Sequence, residues 1–329
     1  MVSYSMSSGD DKPYIKWGES KMEFAAYLKR CREAIGLTQE ALVSELYSFD
    51  TEHFGGLETV TLSRWERGST IPHLARQVSV LKYFQQQTHI ALPCLDRYSH
   101  DEVEQMICET GMHNLLGKSK KLILDFPSKM IGADELLVKQ LRENSALDII
   151  IDIHMAIDKG FHHKFKEIPA KQIRAWALHP SNTFLVCHYK KQFFGLHFTL
   201  RLKPEIFEKI MSREMEEKEL TLNDFASFEE AGSNYVISFF SMNDKAATLL
   251  FIRSYAHLIA NQKVIEEIGT SVIMEDAVKL LKNMKLSLYK ELPYDETHTL
   301  KMYREKIDAF LASEYVLKMI LSEKNCPER

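Results

Sequence analysis

LETVTLSRWERG, residues 57–68, decides how the first quarter of the chain is read. It is a short amphipathic helical pattern carrying small polar and basic side chains, and it closes on Trp65, Glu66 and the stop Gly68. Upstream, FAAYLKRCREAIGLTQEALVSEL (24–46) holds two further helical patterns split at Gly36, with Thr38 placed to cap the second. Downstream, Pro72 opens a fourth helix running to about residue 87. The apolar positions Leu37, Leu42, Leu46, Leu62, Trp65, Leu74, Val78 and Leu81 are expected to form one small core.

Two stretches, Gly36-Leu37-Thr38-Gln39-Glu40 and Thr61-Leu62-Ser63-Arg64-Trp65-Glu66-Arg67-Gly68, make residues 22–87 resemble the Cro and phage-repressor (XRE) helix-turn-helix family. The resemblance covers about a fifth of the chain, with one departure: the turn Tyr47–Gly56 is longer than usual. It implies a base-reading helix in the major groove of DNA, with its N-terminal face against base edges. By that alignment Thr59, Val60 and Arg64 face the groove, with Glu58 and Ser63 beside them. Arg64 suits a bidentate contact to guanine, and Val60 or the Thr59 methyl suits a thymine methyl. Thr38 and Gln39 at a helix N-terminus, and Arg67 past the reading helix, suit phosphates. Arg32 and Glu66 fall where the family places a structural ion pair.

Charge neither supports nor opposes that reading. Residues 1–92 hold ten Lys/Arg and eleven Asp/Glu, and the net charge of the chain is −4. A length of 329 residues suits a multi-domain protein, and 45% hydrophobic with 27% charged residues is an ordinary globular composition. No apolar run reaches the roughly 18 residues of a membrane helix, and MVSYSMSSGDDK lacks the pattern of a signal peptide. Cys31, Cys94, Cys108, Cys187 and Cys326 have no paired spacing, so neither a disulfide framework nor a metal site is expected. A reducing, cytoplasmic location follows from that usage.

The rest of the chain divides into a polar N-terminus (1–20), the helix-turn-helix (21–90), a mostly helical linker (91–144), a mixed domain (145–292) and a C-terminal helix (293–329). The linker is expected to hold helices at 101–116 and 133–143. In its basic turn, Gly117-Lys118-Ser119 lacks the upstream glycine of a phosphate loop. In the mixed domain, helices at 146–159 and 169–178 precede a hairpin, TFLVCHYK (183–190) and QFFGLHFTLRL (192–202). Pro204 then opens EIFEKIMS. Strands NYVISFFS (234–241), VIEEIGTS (264–271) and KLSLYKE follow, alternating with helices at 245–261 and 275–284. The tail from 296 to 323 has the spacing of one long amphipathic helix.

That order, with PEIFEKIMSREMEEKELTLNDF and IGTSVIMEDAVKLLKNMKL, makes residues 145–292 similar to the GNAT fold of Gcn5-related acetyltransferases. The resemblance implies a coenzyme A pyrophosphate held on a glycine-rich turn at a helix N-terminus. Here the turn is SFFSMNDKAATLL (238–250), and no glycine occurs between Gly232 and Gly269. Asn243, Asp244, Ala246 and Ala247 stand there instead. Leu281 occupies the place of a tyrosine that protonates the leaving thiolate in many members, and Lys285-Leu286 replaces a common Gly-Phe.

The expectation is therefore a degenerate GNAT-like domain with no catalytic residue and no cofactor. It senses a ligand or mediates dimerisation, and Phe194, His197, Phe239 and Asn243 would line its cleft. Glu229, Glu230 and Asp224 are more simply a solvated loop than a general base. His162-His163 with His154 is more simply exposed than metal-binding, and adjacent Cys187 and His188 point to opposite strand faces. Together the two resemblances imply a sequence-specific transcription regulator: a homodimer on a palindromic DNA operator, with no membrane partner, whose second domain takes a small-molecule or acyl-CoA-like ligand. The alternatives are an active acyl-CoA-dependent N-acyltransferase with a DNA-targeting module, or an antitoxin-like protein-interaction module.

Overall fold

A computed structural model of the protein describes residues 24–88, 99–104, 136–141, 146–161, 168–189, 192–313 and 316. The first of these stretches is a helical unit: α1 (Phe24–Ala34), α2 (Gln39–Phe49), α3 (Thr51–Phe54), α4 (Thr59–Glu66) and α5 (Leu74–Thr88). Thr38 caps α2 by accepting the Ala41 N–H at 3.1 Å. The left-handed backbone that ends α1 and follows α4 falls on Gly36 (φ 71) and Gly68 (φ 68), where no Cβ resists it. Leu28, Leu42, Leu46, Leu62, Trp65 and Leu81 are buried together, while Leu37, Leu74 and Val78 pack half-buried against them.

The long turn between α2 and α4 has its own structure. Asp50 caps α3 by accepting the His53 N–H, and its other oxygen takes the Ser79 hydroxyl of α5. Phe54 is fully buried. The extra residues are thus folded onto the core, and α4 starts from a fixed point.

The second unit is built on a seven-stranded mixed sheet in the order β1-β2-β3-β4-β5-β7-β6. Its strands are β1 (Leu137–Gln140), β2 (Thr183–Tyr189), β3 (Gln192–Leu202), β4 (Gly232–Ser241), β5 (Ile265–Val272), β6 (Ser287–Pro293) and β7 (Thr299–Lys306). All neighbours are antiparallel except β4 and β5. The helices are α6 (Leu147–Phe161), α7 (Ala170–Leu178), α8 (Pro204–Ser212), α9 (Asp244–Ala260), α10 (Glu275–Asn283) and α11 (Ile307–Leu311). Two helices, a hairpin, then strand–helix–strand–helix–strand is the order expected from the resemblance. One face buries Phe184, Phe198, Tyr235 and Met302 against α6, α7 and α8, and the other packs Leu185 and Cys187 against Leu249 and Leu250 of α9.

Two expectations need correction. The helix expected at 133–143 is strand β1 over Leu137–Gln140. It pairs with β2 along the sheet edge, and Gln140 accepts the Phe184 N–H. Its apolar residues suit either period, and the open edge of β2 selects the extended form. Over its described residues up to 313, the expected C-terminal helix is instead the end of β6, strand β7 and the short α11. Leu300, Tyr303, Ile307, Phe310 and Leu311 do have helical spacing, but Leu300, Met302 and Tyr303 are buried within the sheet. The Asp295 side chain accepts the Thr297 and His298 N–H groups and so fixes the β6–β7 turn. Of the helix expected at 101–116, only the start is described: 100–104 is helical, and Glu104 reaches Arg253 of α9 at 2.8 Å. Residues 117–121, His162 and His163 lie outside the described residues.

Candidate functional site

Two features remain after packing is accounted for: the outward face of α4, and a cleft in the sheet unit. On α4, Leu62, Trp65 and Glu66 turn inward, which leaves Val60 (57% exposed), Arg64, Arg67 and the N-cap Glu58 outward. Thr59 and Ser63 are half-exposed beside them. The sequence spacing thus brings all six positions to one short helix and its ends.

What holds that helix is a buried polar network. Arg32 of α1 donates to both Glu66 oxygens, from Nε at 2.6 Å and from Nη2 at 3.0 Å, and its Nη1 donates to the Leu37 carbonyl at 2.8 Å. The Glu66 side chain is only 3% exposed, so its charge needs this partner. That hydrogen bond raises the Arg32 pKa above its usual value, with burial opposing it. Gln39 Nε2 donates to Glu66 at 2.7 Å. One of the two Gln39 amide N–H donors is thereby spent inside the helical unit. Thr38 is likewise engaged as the α2 cap.

The cleft arises where β4 and β5 stop pairing. Their parallel register runs from Gly232↔Ile265 to Val236↔Thr270, and the Thr270 hydroxyl donates to the Val236 carbonyl at 2.8 Å as the last tie. Beyond it β4 carries a bulge at Ile237, because Val236 faces Thr199 while Ser238 faces Phe198. The two strands then diverge, and the space between them is a cavity of ≈ 570 Å³ roofed by α9 and α10. Apolar side chains dominate its wall: Val236, Phe251, Tyr255, Leu258, Ile268 and Leu281 among them. Among the described residues that line it there is no lysine or arginine, and the carboxylates are the exposed Asp244 and Asp276.

His197, Phe239 and Asn243 line this cleft, as does Leu281. His197 stacks edge-on against Phe239 and Phe251. Burial lowers its pKa to about 4, so the ring is neutral at neutral pH. Asn243 caps α9, its Oδ1 accepting the Ala246 N–H at 2.8 Å. Phe194 does not line the cleft. Cys187 pairs with Gly195 and His188 with Phe193, so Phe194 is the extra residue of a bulge and turns onto Tyr189, ring centroids 6.5 Å apart.

Several candidates lie elsewhere. Asp224 accepts the Thr221 N–H and Glu230 the Ser227 N–H, so both brace surface turns. Glu229 is exposed. His154 is buried edge-on against Phe184 and Phe198. Burial pushes the Cys187 thiol up to about 12, which removes any nucleophilic role at neutral pH. No group of three or more His, Cys, Asp or Glu among the described residues is placed to hold a metal ion, and no described helix is long and apolar enough to cross a membrane.

One polar group was not legible in the sequence. Ser271 lines the cleft and bonds to the hydroxyl of Tyr235, which donates to Glu217 at 2.6 Å. Tyr235 and Ser271 are two hydroxyls on adjacent strands, a juxtaposition that only the β4–β5 register reveals.

No protein-family model matches the chain, and no curated protein sequence is similar to it. Solved structures are similar in outline over about half of it. One is Arabidopsis thaliana Naa50 in complex with a bisubstrate analogue, at 13% identity over 52% of this chain and 98% of that one, TM-score 0.35. Another is Arabidopsis thaliana NAA60 with acetyl-CoA, at 12% identity over 52% and 99%, TM-score 0.38. A third is an N-acetyltransferase from Staphylococcus aureus Mu50, at 12% identity over 52% and 98%, TM-score 0.37. Similarity this distant identifies neither substrate nor partner.

Proposed function

We propose that the protein is a sequence-specific DNA-binding regulator whose GNAT-like domain is a ligand-binding module without acyltransferase activity. The observation that carries the DNA-binding half is the α4 face. Glu58, Val60, Arg64 and Arg67 point outward from a helix whose inner face is fixed by the Arg32–Glu66 pair. A short helix so held, with an outward guanidinium in its last turn, fits the major groove. The described helical unit is not basic, with seven Lys/Arg and seven Asp/Glu in 24–88. Affinity would therefore come from two copies on a palindromic operator rather than from one charged surface.

Selection of bound genomic fragments by the purified protein at physiological salt tests this, with Arg64→Ala in parallel. Enrichment of one palindromic site is expected, with about 1–3 kcal/mol of discrimination lost at a single base position in the variant. An enriched site left unchanged by Arg64→Ala would remove α4 as the reading element. Failure of any site to enrich would remove DNA recognition.

For the second domain, the carrying observation is the wall of the cleft. No cation lines it among the described residues, and Asp244 stands at the N-terminus of α9, where a pyrophosphate would lie. An active acyltransferase is the second reading, favoured by the splay of β4 from β5. Calorimetric titration with acetyl-coenzyme A decides between them. Saturable micromolar binding with turnover of an amine would establish the enzyme, and no heat at millimolar ligand would exclude it.

A further inference from the structure

The cleft is mostly apolar, yet one point on its wall is backed by a buried chain of polar groups. Arg213 Nη1 donates to Glu217 Oε2 at 3.0 Å. Glu217 Oε1 accepts the Tyr235 hydroxyl at 2.6 Å, and Tyr235 Oη lies 2.8 Å from Ser271 Oγ. Tyr235 is fully buried and Glu217 is 4% exposed. The insert between β3 and β4 supplies Arg213 and Glu217 to this chain.

The direction of the chain follows from counting protons. Arg213 beside Glu217 favours the carboxylate, which can only accept. Tyr235 therefore spends its one proton on Glu217. Burial first, and then the Glu217 charge, raise the Tyr235 pKa well above its usual value, so the proton stays on the phenol. In the remaining bond Tyr235 can only accept, and Ser271 must donate. The Ser271 hydroxyl proton is thereby used, and what Ser271 Oγ can offer to the cleft is its lone pairs.

We infer that Ser271, held by Tyr235 and Glu217, forms an acceptor-only subsite for a ligand with an apolar body ending in an uncharged N–H or O–H donor. The inference rests on the reading of the cleft as a ligand site. An uncharged group is specified because the Glu217 charge is already matched by Arg213 and the carboxylates of the cleft, Asp244 and Asp276, are exposed, so a charged group at Ser271 would be desolvated without a buried counter-ion. A ligand that offers only an acceptor at this point would set two lone pairs against each other.

Indole and benzofuran test this, being nearly the same shape and differing in the N–H. Each is titrated into the full-length protein and followed by the methyl resonances of Ala247 and Ala277, both on the cleft wall. Indole is expected to bind about five-fold more tightly than benzofuran, the ordinary return of one net hydrogen bond. That preference should vanish in Ser271→Ala and in Ser271→Cys, whose sulfur is a weak acceptor, while benzofuran affinity stays unchanged and so reports an intact cleft. Equal affinity for the two probes in the unmodified protein, or a preference that survives both substitutions, would overturn the subsite and leave the cleft reading standing. If neither probe shifts the methyl signals at millimolar concentration, the cleft reading fails and the subsite fails with it.

Discussion

Removing the Glu66 carboxylate is the sharpest test of how α4 is held. In Glu66→Ala, Arg32 keeps its Leu37 carbonyl bond and the exposed Glu33 carboxylate at 3.8 Å but loses the bonds from Nε and Nη2 to Glu66, while Gln39 Nε2 loses its acceptor. The Arg32 side chain is 13% exposed, too little for water to replace the lost partners in full. Removing the buried partner of such a charge costs about 3–5 kcal/mol, and the exposed Glu33 is a weak substitute. Arg32 sits near the edge of the core and retains one bond, so the lower end, about 3 kcal/mol, is expected. Global unfolding of a two-domain chain is not a single transition. Amide hydrogen exchange resolved by peptide is therefore the assay. Protection in α1, α2 and α4 should fall by that amount, with β2–β5 unchanged. The double variant Arg32→Met/Glu66→Leu should recover most of the loss, because an apolar pair leaves no unpaired charge and only the Gln39 amide and Leu37 carbonyl, both half-exposed, without these bonds. A loss below 1 kcal/mol, or a double variant as weak as the single one, would refute the assignment of this network as the anchor of α4.

Two further outcomes follow from the sheet unit. Gly269→Ala would place a Cβ 2.8 Å from the Phe207 ring and 3.0 Å from the Met211 sulfur, and overpacking of about 1–3 kcal/mol should appear as faster exchange in β5 and α8. His197 has its folded-state pKa lowered by burial to about 4, against about 6.5 in an unfolded chain. Below about pH 6.5 the unfolded state binds a proton that the folded state refuses, so stability is present in full above that pH. It falls by about 3 kcal/mol as pH drops towards 4, and this component should be absent in His197→Gln. Denaturation of the two proteins across that range measures it, and parallel curves would show that His197 does not titrate on unfolding.

How much of this was legible in the sequence depended on where the information resides. Elements bounded by their own punctuation were legible: Thr38 at the start of α2, Gly36 and Gly68 after α1 and α4, and Pro204 at the start of α8. So was the hairpin of β2 and β3. Elements chosen by a neighbour were not. Leu136, Leu137, Val138 and Leu141 permit a helix, and only the unpaired edge of β2 makes them extended. Leu300 to Phe310 has helical spacing, yet the Asp295 turn and the pairing with β5 and β6 override it. The cleft residues divide in the same way. Phe239, His197 and Asn243 follow from strand and cap positions, whereas the bulge that removes Phe194 is a property of the β2–β3 register.

The same distinction bears on what the cleft binds. Its opening is a consequence of topology: a parallel pair tied at Val236 and Thr270 between strands that pair elsewhere must part once the bulge at Ile237 adds twist. An opening of this kind persists whatever residues line it, so it gives an acyl-CoA-like ligand room without specifying a pyrophosphate. Recognition of a pyrophosphate needs positive potential, from exposed helix amides and from lysine or arginine. Here Asn243 already occupies one of the first amides of α9, Asp244 adds a negative charge, and no cation faces the cavity among its described lining. What the wall offers is mostly apolar surface, with the acceptor at Ser271, a few other uncharged polar side chains and the exposed carboxylates Asp244 and Asp276. Those terms favour a compact uncharged ligand, and a multiply charged nucleotide would have to give up its hydration for a wall that offers it little in return.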